Sequence, residues 1–197
     1  MLCTQCPRRC GAQRLPDVPA GVCAMPETAV VARAALHFWE EPPISGVRGS
    51  GTVFFSGCNL RCVFCQNSSI SQKGIGKSVS VERLREIFHG LIDQGAHNIN
   101  LVTPTHFAHI LLQALDEPLT VPVVWNTGGY ESVETLRKLE GKVQVYLPDL
   151  KYLDSERARR YSAAPDYPKM ATAAIREMFR QTGPCVFDDG GILQRGV

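Results

Sequence analysis

From Gly51 onward the chain alternates short apolar runs with segments of helical spacing, and that alternation leaves few folds open to it. Thr52 to Phe55 is a brief β-branched and aromatic run of the kind that makes a strand. After Ser80, the residues Leu84, Ile87, Phe88, Leu91 and Ile92 follow the spacing of one helix face, and Gly95 is its stop. Ile99 to Val102 reads as a strand, Phe107 to Leu115 as a helix and Val121 to Trp125 as the next strand. Ser132 is placed to cap a helix from Val133 to about Leu139 that ends at Gly141. Val143 to Leu147 is a further buried strand, followed by helices near Ser155–Tyr161 and Pro168–Gln181. Strands separated by helices mean βαβ units, hence an α/β fold with a parallel sheet. Periodicity does not decide between a flat doubly wound sheet and a curved barrel.

Directly after the first of these strands come Cys58, Cys62 and Cys65, spaced C-x3-C-x2-C with Phe64 before the last. Three thiolates can hold three corners of a [4Fe–4S] cluster, whereas a cluster that only carries electrons normally takes four. An iron with an open position can bind and activate a substrate, as an open zinc site does. The pattern therefore points to an enzyme. A zinc knuckle or a set of inert buried thiols is the rival reading, and three cysteines at this spacing on one loop count against it. Loops at the carboxyl ends of barrel strands are also where such folds place their chemistry.

The cysteine run resembles the cluster motif of the radical S-adenosylmethionine (radical SAM) superfamily. The stretch His37-Phe38-Trp39-Glu40-Glu41-Pro42-Pro43-Ile44-Ser45-Gly46, the run from Gly49 to Gly57, and Cys65-Gln66-Asn67 narrow the likeness. They resemble the branch related to pyruvate formate-lyase (glycyl radical enzyme) activating enzymes. The likeness extends from about Cys3 to the last residue. It implies a partial (β/α) barrel over residues 28–197, a [4Fe–4S] cluster on Cys58, Cys62 and Cys65, and S-adenosylmethionine as cofactor. It also implies reductive cleavage of that cofactor, hydrogen abstraction from a protein or small-molecule substrate, and a reduced flavodoxin or ferredoxin-like electron donor. Such enzymes carry about six strand–helix units against about four complete ones here, so the barrel is expected to be incomplete at its carboxyl end. Gly191 to Val197 looks like the run-in to another strand.

The resemblance also suggests where the cofactor lies. Thr103-Pro104-Thr105-His106 follows the second parallel strand, where relatives often have a Gly-Gly-Glu segment for the methionyl amino group. This chain lacks that segment, so backbone carbonyls or the hydroxyls of Thr103 and Thr105 are the substitutes; Thr105 as a helix cap is the alternative. Asn126-Thr127-Gly128-Gly129 resembles the Asp-Thr-Asn-Gly-like turn of activases, with Asn126 in place of an acid. Asp149 and Lys151 match an Asp-Leu-Lys element that serves the methionyl carboxylate and a neighbouring cation.

A second set, Cys3, Cys6, Cys10 and Cys23, lies in a short Pro- and Gly-bearing segment, residues 1–27. Four thiolates close either a structural zinc site or a second iron–sulfur cluster, and zinc is preferred because the segment cannot make a core alone. Unligated cysteines remain the alternative there. Cys185 is expected to be a buried apolar residue and His106 and His109 ordinary helix residues; Glu40-Glu41 could reach the site rim, though a solvated turn is the simpler account.

At 197 residues the chain is long enough for one sizeable core, and its 44% hydrophobic and 20% charged residues are ordinary for a globular protein. A formal net charge of +2 leaves no footprint for nucleic acid or an anionic membrane, and no apolar run approaches a membrane span. Eight cysteines in clustered metal-ligand spacings, not scattered as in a disulfide scaffold, favour a reducing cytoplasm. Two rival functions remain: a truncated, non-catalytic remnant that still binds metal or cluster, and an electron-transfer protein. The lack of a fourth cysteine near residues 58–65 opposes the latter.

Overall fold

The computed structural model describes residues 2–197. Six strands make one sheet: β1 (Ala29–His37), β2 (Ser50–Phe55), β3 (Lys77–Val79), β4 (Ile99–Val102), β5 (Val123–Thr127) and β6 (Val145–Pro148). Their order is β3-β1-β2-β4-β5-β6. β2, β4, β5 and β6 run parallel, as the alternation predicts. The sheet as a whole is mixed, because β1, which lies before the alternation begins, is antiparallel to both β2 and β3. The chain turns back from β1 to β2 through the four-residue helix α1 (Pro42–Ser45), too short to serve as a crossover.

The helices that follow are α2 (Ser68–Ser71), α3 (Val81–Asp93), α4 (Ala108–Ala114), α5 (Val133–Lys138), α6 (Ser155–Ser162) and α7 (Tyr167–Thr182). Ser80 caps α3 by accepting the Arg83 N–H at 3.2 Å, and Gly95 at φ 93° lets the chain leave it. Ser132 precedes α5 as expected but makes no side-chain cap; its hydroxyl donates to Glu134 at 3.1 Å instead. A single 3-10 turn, Thr105–Phe107, leads into α4. β5 starts two residues later than its apolar run suggests, because Pro122 has no N–H for the ladder, though its carbonyl still accepts the Ile99 N–H.

Alternation along the strands sorts the side chains into two layers. On the outer face, Val53, Phe55, Leu101, Trp125 and Tyr146 pack with Leu84 and Phe88 of α3, Leu111 of α4, Leu136 of α5 and Met178 of α7. Each such large side chain, fully buried, stabilises the fold by about 1.5–3 kcal/mol relative to exposure. On the inner face, Val124 and Val145 pack with Ile44 of α1 and with Leu193. Leu193 belongs to a small antiparallel hairpin of β7 (Val186–Phe187) and β8 (Leu193–Arg195). Just beyond it, Gly196 forms an isolated parallel bridge with Val145 of β6. Cys185, at the foot of this hairpin, is exposed and not the buried residue its composition class suggests. Among the described residues, no helix is long and apolar enough to cross a membrane.

Candidate active site

The inner face opens above Val124 and Val145 into a cleft of about 820 Å³. Phe54, Val102, Asn126 and Leu147, from four adjacent parallel strands, form its back wall. Cys58, Cys62 and Cys65 all line it, together with Thr103, Asp149 and Lys151. Residues taken from the ends of β2, β4, β5 and β6 thus meet at one mouth, the carboxyl end of the parallel strands.

The cysteine loop is held on all sides. Gly57 N–H donates to Ile70 O at 3.1 Å, Val63 N–H to Tyr161 O at 2.9 Å, and Asn59 Nδ2 to Tyr130 O at 2.7 Å. Arg61 turns the chain between Cys58 and Cys62 at φ 53°. From the amino-terminal segment, Arg8 donates to the carbonyls of Asn59 at 2.8 Å and Ser162 at 2.6 Å, with its guanidinium over the Tyr130 ring. His106 Nε2 bonds Ser56 O at 2.7 Å, and a carbonyl partner means this nitrogen carries the proton. Burial, with the Arg14 guanidinium nearby, pushes the His106 pKa down to about 3 despite that bond, so the ring is neutral. The ring expected to be an ordinary helix residue therefore braces the strand end that launches the cysteines.

Each sulfur of the triad has a donor. Leu60 N–H reaches Cys58 Sγ at 3.3 Å, the Ser162 hydroxyl reaches Cys62 Sγ at 3.0 Å, and the Ser71 hydroxyl reaches Cys65 Sγ at 3.2 Å. Burial pushes the Cys58 thiol up, while the N–H groups of Arg61 and Leu60 and the neighbouring cysteines pull in opposite directions. Such a site gains by binding a cation that replaces the proton, and donors to sulfur are what tune a bound cluster. The arrangement fits a [4Fe–4S] cluster: three thiols from one loop, each with an N–H or O–H donor, facing a cleft that leaves the fourth corner free. Among the described residues, no three His, Cys, Asp or Glu side chains close around the position of a single ion. Cluster thiolates stand farther apart than the ligands of one ion do.

Of the residues expected to serve the cofactor, Thr103, Asn126, Asp149 and Lys151 do reach the cleft. Thr103 sits there at φ 56°, a strained setting for a β-branched residue, fixed by its N–H to Asn126 O at 2.8 Å. Lys151 Nζ pairs with Asp149 at 2.5 Å, and the Tyr167 hydroxyl ties the backbone there to Gly128 O and Asp149 O, each at 2.9 Å. Thr105 is placed elsewhere. It is fully buried below the cleft, and its hydroxyl donates to Glu131.

Glu131 itself went unrecognised in the sequence. It is completely buried, and its Oε1 accepts from Thr105, Thr127 and, at 3.5 Å, Trp125 Nε1. It thereby ties the loop after β4 to the end of β5, the two segments that carry Thr103 and Asn126. Burial raises its pKa to about 7 against the pull of the three donors. Glu40 and Glu41 both line the cleft, the rim position that was the alternative to a solvated turn.

Cys3, Cys6, Cys10 and Cys23 are gathered in the amino-terminal segment. Cys6 and Cys23 are buried, and burial pushes the Cys6 thiol up to about 12, with Cys3 and Cys23 adding to the rise. Cys10 is exposed; the N–H groups of Ala12 and Val22 and the Cys3 thiol outweigh its slight burial and hold its pKa below the usual value.

These features can be set beside known proteins. The family model of the radical SAM superfamily matches residues 52–188, from the start of the strand below the cysteines to the carboxyl-terminal hairpin. The chain is also 33% identical over 177 residues to an uncharacterised protein of Methanocaldococcus jannaschii, a match covering 84% of this chain and 50% of that protein. It thus spans about half the length of the curated relative it matches. No solved structure matches it. The matched stretch contains the three-cysteine loop and every parallel strand that walls the cleft, and the chain belongs to the radical SAM superfamily.

Proposed function

We propose that the protein is a radical SAM enzyme that abstracts a hydrogen atom from its substrate and resembles glycyl-radical-enzyme activases. The observation that carries this reading is the meeting of Cys58, Cys62 and Cys65 with Thr103, Asn126, Asp149 and Lys151 at the mouth of one cleft. When bound, a [4Fe–4S] cluster with one iron free of protein ligands supplies the electron and the Lewis-acid site for reductive cleavage of S-adenosylmethionine. The chain's own residues position and enclose. Cys58, Cys62 and Cys65 would hold the cluster, and the donors on their sulfurs stabilise the added negative charge of its reduced form. Asn126 and the Thr103 hydroxyl offer acceptors for an ammonium, and Lys151 offers a cation for a carboxylate. Asp149 holds that lysine in place. Phe54, Val102 and Leu147 line the wall with apolar surface, which restricts water around a reactive species.

A reduced flavodoxin or ferredoxin-like protein is the proposed electron donor. For the four amino-terminal thiols, which do not close around a single ion as they stand, the proposal is a second cluster or a structural zinc that draws them together, and metal analysis of the purified chain would identify which. The branch is proposed from the phrases flanking the cysteines, and a glycyl radical enzyme is the substrate class they suggest.

The test is anaerobic reconstitution with iron and sulfide, addition of S-adenosylmethionine and dithionite, and quantification of 5′-deoxyadenosine. Product from the parent, with none from a variant carrying Cys58→Ala, Cys62→Ala and Cys65→Ala, is the expected result. Absence of product from a parent with a full iron complement would reject the reading.

A further inference from the structure

The second half of the cysteine loop presents two apolar side chains to solvent. The Cys65 N–H donates to Cys62 O at 3.1 Å, closing a tight turn. Both of these cysteines line the cleft, while Val63 and Phe64 between them are 70% and 58% exposed. Phe64 also touches the cleft rim; Val63 does not line it. Phe64 meets Tyr152 and Tyr161 edge to face, each at 6.3 Å between ring centroids. Next to Tyr152 stands Leu153, 80% exposed. A lone exposed apolar residue is ordinary, but three gathered around two aromatic rings make a patch.

The helix behind this patch supplies charge. Ala158 and Ser162 of α6 are buried, and the Ser162 hydroxyl is the one that reaches Cys62 Sγ. Tyr161 and, one turn earlier, Arg157 share another face of α6. The Arg160 guanidinium lies over the Tyr161 ring, 5.3 Å from its centroid. Of the acids here, Glu156 is paired with Arg159 at 3.2 Å, and Asp154 is turned to the helix cap, accepting the Arg157 N–H at 2.8 Å. Among the described residues, neither Arg157 nor Arg160 has a carboxylate partner. Arginine beside exposed aromatic and aliphatic groups is the composition of a protein interface.

We propose that Val63, Phe64, Leu153, Arg157 and Arg160 form the docking surface for an acidic electron-donor protein. This deepens the radical SAM reading of the cleft and rests on it. Cys62 and Cys65, two of the three thiols assigned to the cluster, flank Val63 and Phe64, so a redox group seated on the patch lies close to the cluster. Val63, Leu153, Arg157 and Arg160 lie outside the cleft, so a donor sits here while cofactor and substrate occupy it. The donor is oxidised by one electron and the cluster reduced by one, with no bond formed or broken. Redox encounters bury little surface, and a small patch suffices for one. The two free arginines set the sign of the partner, and their field speeds its encounter.

The experiment is isothermal titration calorimetry on the full chain without cluster. The probes are oxidised flavodoxin and plant-type ferredoxin, both acidic, and cytochrome c, which is basic. Binding of an acidic probe at least tenfold tighter than cytochrome c, and weakened as salt is raised, is expected. Arg157→Glu combined with Arg160→Glu, and separately Val63→Asp, should each weaken it tenfold or more in protein whose circular dichroism matches the parent. After reconstitution, the double variant should take electrons from the reduced acidic probe at least tenfold more slowly than the parent. From photoreduced 5-deazariboflavin, a small uncharged donor, it should take them at the parent's rate. Binding of neither acidic probe, equal binding of cytochrome c, folded variants that bind as the parent does, or equal slowing with both reductants would each overturn the proposal. So would self-association of the parent that the arginine changes abolish, because the occupant is then a second copy. If a variant fails to fold, charge selectivity and salt dependence on the parent decide. Binding is read without the cluster and 5′-deoxyadenosine formation is driven by dithionite, so the two readings fall separately.

Discussion

At the scale of single residues, Glu131 is the clearest case of a side chain whose importance only the fold reveals. Nothing around it in the sequence marks it, because its partners Thr105 and Thr127 reach it only when the loops after β4 and β5 converge. Cys58, Cys62 and Cys65 are the opposite case, legible at once because their spacing along one loop is itself the chemistry. Glu131 has a measurable pH signature. Its pKa is about 7 in the folded chain against an ordinary 4.5, so between these values the folded state binds more protons there than the unfolded state does. Its contribution is therefore fully present below 4.5 and is lost as pH rises through 7. His106 acts in the other sense, its pKa lowered from 6.5 to about 3, so its contribution rises with pH across that interval. Comparing the parent with Glu131→Gln removes the histidine from the balance. Urea unfolding should show the variant gaining on the parent by on the order of 3 kcal/mol as pH rises from below 4.5 to above 7. A difference that does not change with pH would contradict this assignment.

At the scale of elements, the parallel strands and long helices could be read from the sequence because apolar period and stop signals agree there. The antiparallel β1 could not. Its Ala-rich run, Ala29–His37, has no clean alternation, and its burial fades toward His37. The turn after it therefore passed for solvated surface, although it supplies one end of the cleft. Glycines at the joints between elements give a sharper test than any core residue. Gly57, just before Cys58, has φ 77°, and a Cβ there would collide with the Met25 side chain and the Cys23 carbonyl. Gly57→Ala should cost on the order of 2 kcal/mol in urea unfolding and lower the iron bound per chain after reconstitution. Gly90, inside α3 with no atom near its missing Cβ, should behave in the opposite way. Gly90→Ala should stabilise by about 0.5–1 kcal/mol and leave iron loading as it is. Equal effects at the two positions would show that the cysteine loop is not held by its contact with the amino-terminal segment.

At the scale of the whole molecule, one face of the sheet is given to packing and the other to chemistry. Helices close the outer face into the main core, while α1 and the β7–β8 hairpin fill only the lower part of the inner face. What is left open is a cleft with cysteines at one end, carboxylates at the other and apolar wall between. The amino-terminal segment belts this arrangement through Arg8 and Arg14, which reach the carbonyls of the cysteine loop, of α6 and of His106. Everything proposed for the cleft requires that the three thiols hold a cluster whose free corner meets S-adenosylmethionine. Electron paramagnetic resonance of the anaerobically reconstituted, dithionite-reduced chain, with and without S-adenosylmethionine, measures this directly. The expected result is a reduced-cluster signal that changes when S-adenosylmethionine is added, with that responsive signal missing from the triple Cys→Ala variant. A parent signal that is indifferent to S-adenosylmethionine, or a responsive signal that survives loss of Cys58, Cys62 and Cys65, would contradict that assignment.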